Sequence, residues 1–161
     1  MKKILILLFL FLLVPVVRAE EEDLAPNAKS AIMIEASTGE ILFQKNKDEK
    51  LAPASMTKMM SMLLIMEEIE NGNLKWNEMI TTSEKASSMG GSQIFLKVGE
   101  KMTVEDLLKG VAIASGNDAV VALAERVSGS EEQFVKRMNI RAKDLGLKNT
   151  ILSRKMYDME S

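Results

Sequence analysis

Apolar residues follow two distinct patterns in the first half of this chain. Residues 31–36 and 41–43 are short, largely apolar runs on either side of Ser-Thr-Gly-Glu, which is typical of a β-hairpin closed by a tight turn. Residues 55–70 are helix formers, with Met, Leu or Ile at nearly every position as far as Met66. Because a helix that is apolar on nearly all sides is normally buried, we expect a buried helix here, ended by Asn-Gly-Asn at 71–73.

A mixed pattern of polar and small residues occupies the middle of the chain. Residues 74–98 include a Thr-Thr-Ser cluster and a Ser-Ser-Met-Gly-Gly-Ser stretch, which favour loops and short helices over one long element. Thr103 followed by Asp106 is typical of a helix start, with a capping hydroxyl and an acid in the first turn. The apolar spacing then continues to Ile113, so we expect a helix over this stretch.

Two further helices are predicted in the last third of the chain. The sequence Ser-Gly-Asn at 115–117 interrupts the helical spacing, which resumes over residues 118–127. Residues 131–145 have the spacing of an amphipathic helix that ends at Gly146. A hairpin, a buried helix, an irregular region and a helical cluster, in this order, indicate an α+β fold.

The amino-terminal residues have the composition of a targeting segment. Two lysines precede an uncharged apolar run over residues 4–17, and small residues suited to cleavage stand just before Glu20. The alternative is a transmembrane anchor, but the run is shorter than a bilayer span of about 20 residues and Pro15 interrupts it. We therefore expect a cleaved signal peptide over residues 1–19, an acidic lead-in over residues 20–28, and an exported protein.

The composition excludes several kinds of site. The chain contains no cysteine, so it has neither a disulfide framework nor a thiol nucleophile. It contains no histidine, which excludes a Ser-His-Asp triad and any zinc site that uses histidine. A net charge of -2, from 21 basic and 23 acidic residues, gives no electrostatic basis for binding nucleic acid. Any hydrolytic chemistry must therefore use a base other than histidine.

Ser55 and Lys58 stand three positions apart at the start of the predicted buried helix. Positions i and i+3 of a helix share one face, so the hydroxyl and the amine can point into the same space. For Lys58 to accept a proton near neutral pH, its pKa must fall well below about 10.4, which desolvation against apolar neighbours achieves. The alternative is a helix start that happens to carry a lysine, since about one Ser-x-x-Lys match is expected by chance in a chain of this length.

The Ser-Gly-Asn break offers a second candidate site. Side chains at a break between two helices can point into a cleft, which makes Ser115 and Asn117 candidate site residues. Serine, glycine and asparagine are also the residues that turns prefer, so the motif alone leaves a purely structural turn open.

Three separated segments together resemble one protein family. "PASMTK", "ASSMGGSQIFLKVGE" and "TVEDLLKGVAIASGNDAVVALAE" occur in the order found in low-molecular-weight penicillin-binding proteins, the serine-type D-alanyl-D-alanine carboxypeptidases of bacterial cell walls. The resemblance covers residues 29–150, which it assigns to the amino-terminal portion of the catalytic domain. It implies a β-lactamase/transpeptidase-like fold, in which an antiparallel sheet packs against a helical cluster.

The resemblance also implies a role for each candidate residue. Ser55 would attack the carbonyl between the two terminal D-alanines of a peptidoglycan stem peptide, and Lys58 would take the serine proton. Ser115 would relay a proton towards the leaving amine, and Asn117 would bind the peptide group of the substrate or the lysine. The family needs no metal or organic cofactor, β-lactam antibiotics inhibit it, and many full-length relatives attach peripherally to the membrane through a C-terminal amphipathic anchor.

The third motif of the family is absent from this sequence. No lysine is followed by Thr-Gly or Ser-Gly, and Lys97-Val98-Gly99 precedes the Ser-Gly-Asn motif, whereas the family has its third motif after it. The tail over residues 151–161 also diverges from the family. We therefore expect a chain truncated before the C-terminal strands, with an unpaired hairpin edge and little activity of its own.

Two alternatives to a carboxypeptidase stay open at this point. A β-lactamase would need an additional deacylating glutamate beyond Ser115, which the sequence does not clearly contain. A catalytically inactive penicillin-binding or peptidoglycan-interaction remnant would keep Ser55 and Lys58 only as sequence.

Overall fold

The computed structural model of the chain describes residues 23–153. The expected signal peptide, the first residues of the acidic lead-in and most of the divergent tail lie outside the described residues. The chain divides into two compact units with a boundary between Glu49 and Lys50. No helix within residues 23–153 combines the length and the apolarity required to cross a membrane.

The first unit contains the predicted hairpin. Strands β1 (Ala31–Ile34) and β2 (Ile41–Lys45) pair antiparallel. In the connecting turn, the Glu35 carboxylate accepts hydrogen bonds from the Ser37 hydroxyl at 2.7 Å and from the Thr38 backbone N–H at 2.7 Å. These bonds, with that of Ser37 the largest cause, lower the pKa of Glu35 to about 2. The Glu35 carboxylate therefore stabilises the turn in addition to the backbone pairing of the two strands.

The hairpin exposes apolar side chains along both strands. Among the described residues, no further strand pairs with either of its edges. The exposed apolar side chains are those of Ile32, Met33, Ile34, Ile41 and Leu42. A two-stranded hairpin is only marginally stable on its own, because it buries little apolar surface. The predicted unpaired edge is therefore present in the described part of the chain.

The second unit is a helical cluster with one small sheet. A 3₁₀ turn (Ala54–Thr57) leads directly into the first helix. In chain order, the elements that follow the turn are α1 (Lys58–Glu70), β3 (Met79–Thr81), α2 (Glu84–Ser87), β4 (Lys101–Thr103), α3 (Val104–Ala114), α4 (Asn117–Ser128) and α5 (Glu131–Asp144). The α+β class and the predicted order of elements are confirmed.

Helix α4 forms the centre of this unit. It packs against α1, α2, α3 and α5, and its residues from Ala119 to Ala124 are all buried. Five of these six residues are alanine or valine, so most of the side chains are small and neighbouring helices can approach α4 from several directions. The most completely buried helix is thus not the one with the longest apolar run.

Helix α1 is buried on one side only, which corrects the expectation of a helix buried all round. Leu64 and Ile65 belong to the core, whereas Met59 is 61% exposed and Leu63 is 36% exposed. Apolar residues on every side of a helix show that it can be buried, but they do not show which sides have a packing partner among the described residues.

The local signals at helix ends are confirmed. The Thr103 hydroxyl accepts a hydrogen bond from the Asp106 backbone N–H at 3.1 Å, as expected of a helix N-cap. Gly146 has a φ of +76° just after α5, the left-handed conformation that favours glycine at a helix end. The pairing of β3 with β4 was not expected, because strands of three residues are too short to show a periodicity.

Candidate active site

Ser55 and Lys58 lie together at the start of α1. Ser55 is exposed in the 3₁₀ turn, whereas Lys58 is 3% exposed as the first residue of the helix. The Nζ atom of Lys58 lies 3.4 Å from the Oγ atom of Ser55, at the long end of the hydrogen-bonding range. Contacts between a base and its nucleophile are often long before substrate binds. An accessible hydroxyl thus stands beside a buried amine.

Burial changes the acid–base properties of Lys58. Desolvation lowers its pKa from the ordinary value, because removal from water disfavours the charged ammonium form. A larger fraction of neutral amine is then present at a given pH, and only the neutral amine can accept a proton. The local environment therefore supplies the property that the sequence spacing alone left open.

The backbone that leads into Ser55 is strained. Ala54 has a φ of +47°, in the left-handed region that non-glycine residues rarely adopt. This conformation costs an alanine on the order of 1 kcal/mol, and Ala54 is the first residue of the 3₁₀ turn that contains Ser55. Strain of this kind is concentrated at functional sites, where the surrounding structure fixes it.

Ser115 lies at the junction between α3 and α4, as the sequence predicts. It ends α3 in the left-handed conformation, with a φ of +55° and a ψ of 32°. The backbone N–H of Gly116 donates to the Gly110 carbonyl at 3.1 Å, and α4 begins at the next residue. The Ser115 Oγ is buried and has no hydrogen-bond partner within residues 23–153. A buried, unsatisfied hydroxyl is uncommon and is consistent with a group that serves a ligand.

Asn117 joins the start of α4 to residues 90–92 through hydrogen bonds. Its side-chain Nδ2 donates to the Gly90 carbonyl at 2.7 Å, and its backbone N–H donates to the Ser92 carbonyl at 2.7 Å. Asn117 is buried at the first position of the helix. The structure thus gives this side chain an internal positioning contact in addition to the substrate or lysine contact that the resemblance implies.

Asp118 is a residue of this region to which the sequence assigned no role beyond a helix start. Its carboxylate accepts hydrogen bonds from the backbone N–H groups of Ile94 at 3.1 Å and Leu96 at 2.9 Å. It also accepts from the N–H of Ala119 at 2.9 Å. The only available sequence signal was an acid in the first turn of a helix, directly before the apolar run from Ala119 to Ala124.

The candidate residues are carried by helices that pack on each other. Ser55 lies in the turn that leads into α1 and Lys58 begins that helix. Ser115 ends α3 and Asn117 begins α4, and α1 packs against α4. A buried amine beside a hydroxyl can activate that hydroxyl as a nucleophile. Within residues 23–153, no group of three acidic side chains is arranged to hold a metal ion.

Comparison with known proteins gives a consistent set of matches. Residues 16–155 match the model of the family Peptidase S11, described as D-alanyl-D-alanine carboxypeptidase. Over 128 residues the chain is 64% identical to D-alanyl-D-alanine carboxypeptidase DacF of Bacillus subtilis, a match that covers 80% of this chain and 33% of that protein. The chain spans about a third of the length of the curated relatives that it matches.

Solved structures show the same similarity in three dimensions. The D-alanyl-D-alanine carboxypeptidase DacD from Francisella tularensis matches with a TM-score of 0.77 at 42% identity, over 79% of this chain and 31% of that chain. Penicillin binding protein 5 from Haemophilus influenzae matches with a TM-score of 0.75 at 36% identity, over 78% of this chain and 38% of that chain. The described fold is therefore the corresponding part of the fold of these two proteins.

Proposed function

The chain belongs to the family of D-alanyl-D-alanine carboxypeptidases, and from this premise we propose that Ser55 is the acyl nucleophile of a serine carboxypeptidase. The proposed substrate is a peptidoglycan stem peptide that ends in D-alanyl-D-alanine, and the reaction removes the terminal D-alanine. The observation that carries the proposal is the position of the buried Lys58 amine, 3.4 Å from the Ser55 hydroxyl.

The reaction has two steps. Ser55 Oγ attacks the carbonyl carbon of the last peptide bond while its proton passes to the neutral amine of Lys58. The tetrahedral intermediate collapses with cleavage of the C–N bond, and Ser115 relays a proton to the leaving amine of D-alanine. Water then attacks the ester carbonyl of the acyl-enzyme. The shortened peptide leaves with the hydroxyl group of the water, and Ser55 Oγ regains a proton.

The residues fit these roles for physical reasons. The lowered pKa of Lys58 favours the neutral amine that the first step needs. The buried Ser115 hydroxyl lies at a helix junction, where its proton is not committed to another described residue. The backbone N–H of Ser55 would stabilise the oxyanion of the intermediate, helped by the positive end of α1. We propose that Asn117 contacts the substrate peptide as well as the 90–96 segment.

Location and inhibition follow from the same assignment. We propose that residues 1–19 direct export of the chain, so that it meets peptidoglycan outside the cytoplasm. One of the matched structures is a penicillin binding protein, which supports the proposal that β-lactams acylate Ser55. Peripheral membrane attachment is proposed only for longer relatives with an amphipathic anchor.

A non-catalytic function is the second candidate. It applies to the 161-residue chain taken by itself, because no Lys-Thr-Gly or Lys-Ser-Gly sequence stands between Ser115 and Ser161. In the resembling family that motif binds the substrate carboxylate. A chain without this motif would keep the fold of the site but bind penicillin or peptidoglycan without forming an acyl-enzyme at Ser55.

Acylation of Ser55 by a fluorescent penicillin tests the proposal. After prolonged incubation, we expect a slow, single adduct on the peptide that contains Ser55, identified by mass spectrometry. Ser55→Ala removes this adduct. The control variant Ser61→Ala, which changes a buried serine inside α1, keeps it. An adduct that survives Ser55→Ala contradicts the proposed nucleophile. The absence of any adduct from a folded chain contradicts a catalytic role and favours the second candidate.

A further inference from the structure

An irregular segment crosses the junction that carries Ser115. Residues 90–96 have no regular secondary structure, yet their backbone is held at several points by the first residues of α4. Asn117 binds the carbonyl groups of Gly90 and Ser92, both at 2.7 Å. The segment therefore lies directly against the start of α4, two residues after Ser115 in the chain.

The Asp118 carboxylate makes the remaining contacts to this segment. Asp118 is 1% exposed, and its Oδ2 accepts from the Leu96 N–H at 2.9 Å while both oxygens lie within 3.2 Å of the Ile94 nitrogen. Burying a carboxylate is costly unless hydrogen bonds replace its water. Two of its three backbone donors belong to the segment and only Ala119 belongs to its own helix. An acid that merely favoured the helix N-terminus would not need to bond residues so far away in the chain.

The side chain of Ile94 is held on the opposite side by a glycine. A Cβ atom on Gly110 would lie 2.9 Å from Ile94 Cδ1 and 3.1 Å from its Cγ2, so Ile94 occupies the space that a larger residue would take. Gly110 also accepts the hydrogen bond from Gly116 that closes the junction. Ile94 is thus fixed through its backbone by α4 and through its side chain by α3.

The residue between the two anchored amides is displayed outward. Phe95 is 78% exposed and has a φ of +62°, a conformation that is unfavourable for an aromatic residue. Its neighbours Ile94 and Leu96 cannot rotate freely, because both amides are bound to Asp118. The carboxylate therefore sets the path of the backbone on both sides of Phe95.

We propose that Asp118 is a positioning residue of the candidate active site, and that it holds residues 90–96 in place as one wall of the site beside Ser115. This inference rests on the proposed function, since the wall matters only if Ser55 and Ser115 act on a substrate. Asp118 acts through the segment and does not touch the substrate.

Asp118→Asn is a sharp test because it preserves the shape of the side chain. An amide has one acceptor oxygen and one donor nitrogen in place of the two carboxylate oxygens. In either orientation its NH₂ group faces a backbone N–H, that of Leu96 or that of Ala119, so one buried donor loses its acceptor. A matched control is Glu68→Gln, because the Glu68 carboxylate joins α1 to Arg137 of α5 and also binds Asn73.

Hydrogen exchange and acylation measure the effect in the 161-residue chain. For Asp118→Asn, we expect the amides of Ile94 and Leu96 to exchange at least about tenfold faster, while the amides of α1 and α5 keep their protection. We also expect a fluorescent penicillin to acylate Ser55 more slowly per folded molecule. Glu68→Gln should lower the midpoint of thermal unfolding but leave both the exchange of the segment and the acylation rate unchanged.

Each alternative outcome decides the question. Unchanged exchange at Ile94 and Leu96, or an increase spread evenly over α3, α4 and α5, overturns the proposal in favour of a general structural role. Faster exchange confined to the segment with an unchanged acylation rate also overturns it, because the segment would then not belong to the site. If the unsubstituted chain forms no adduct, the proposed function fails, and the exchange data alone decide whether Asp118 positions the segment.

Discussion

Gly110→Ala tests the close packing between α3 and the 90–96 segment. Gly110 lies inside α3, where a methyl group would meet Ile94 Cδ1 at 2.9 Å, Ile94 Cγ2 at 3.1 Å and Ala119 Cβ at 3.6 Å. The first distance is shorter than two carbon atoms tolerate, so Ile94 or the helix must move. Ile94 has little freedom to do so, because its backbone N–H is bound to Asp118.

The expected magnitude is the balance of two opposing effects. Alanine is favoured over glycine inside a helix by about 1 kcal/mol, which would stabilise the variant in the absence of any clash. Overpacking a well-filled site costs typically about 1–3 kcal/mol. The new methyl group meets Ile94 Cγ2, which is attached directly to the branched Cβ, as well as the terminal Cδ1. We therefore expect the destabilising clash to exceed the gain in helix propensity. The net loss should be about 1 kcal/mol of unfolding free energy, or roughly 4 °C in Tm.

Urea denaturation followed by circular dichroism measures this loss, and a double-mutant cycle assigns its cause. Ile94→Val removes Cδ1, the atom that lies closest to the new methyl group, but keeps Cγ2. Gly110→Ala should therefore cost about 0.5–1 kcal/mol less in the Ile94→Val background than in the unsubstituted chain. A Gly110→Ala variant that gains the full helix-propensity benefit, or a cycle without coupling, would refute the packing argument.

Three further predictions concern the site and its surroundings. The rate at which a penicillin acylates Ser55 should rise with pH, with a midpoint below the ordinary lysine pKa, because burial lowers the pKa of Lys58 and only its neutral form accepts a proton. A rate independent of pH from 6 to about 11 would contradict this. Phe95→Asn should leave the unfolding free energy unchanged or raise it by up to about 1 kcal/mol, because asparagine tolerates a φ of +62° and the phenyl ring is mostly exposed. A loss above about 1 kcal/mol in chemical denaturation would show that the phenyl ring stabilises the fold. The 161-residue chain should release D-alanine from a stem pentapeptide very slowly or not at all, because it lacks the third motif, whose strand in the resembling family also supplies an oxyanion donor, and losing one such donor costs about 10²–10³ in rate. A D-alanine assay that finds turnover typical of an enzyme would show that the first two motifs suffice.

The parts of this fold that the sequence predicts are those set by nearby residues. The hairpin turn, the Thr103 cap and the end of α5 at Gly146 each depend on a few neighbouring positions, and each is present. The spacing of Ser55 and Lys58 is also local, because positions i and i+3 approach each other in any helical turn. Such features need no knowledge of the tertiary structure.

The parts that the sequence does not predict depend on distant residues. The partners of Asp118 stand 24 and 22 positions earlier in the chain, and nothing at Ile94 or Leu96 marks them as donors to a buried carboxylate. The difference between α1 and α4 is of the same kind. Both have apolar sequences, but the choice of central helix depends on which one the other elements can approach, and the small residues of α4 permit closer contact.

The candidate site shows why the two motifs are informative together although each is weak alone. Ser-x-x-Lys fixes the distance between a hydroxyl and an amine, but an exposed lysine would keep its ordinary pKa and be a poor base. Burial of Lys58 depends on the packing of α1 in the helical cluster, and α4 is the helix at the centre of that cluster. The Ser-Gly-Asn motif sits at the start of α4, where Asn117 and the adjacent Asp118 also fix the 90–96 segment. A chance Ser-x-x-Lys match would lack the second set of polar groups, because these belong to a helix that begins almost 60 residues later and packs against α1.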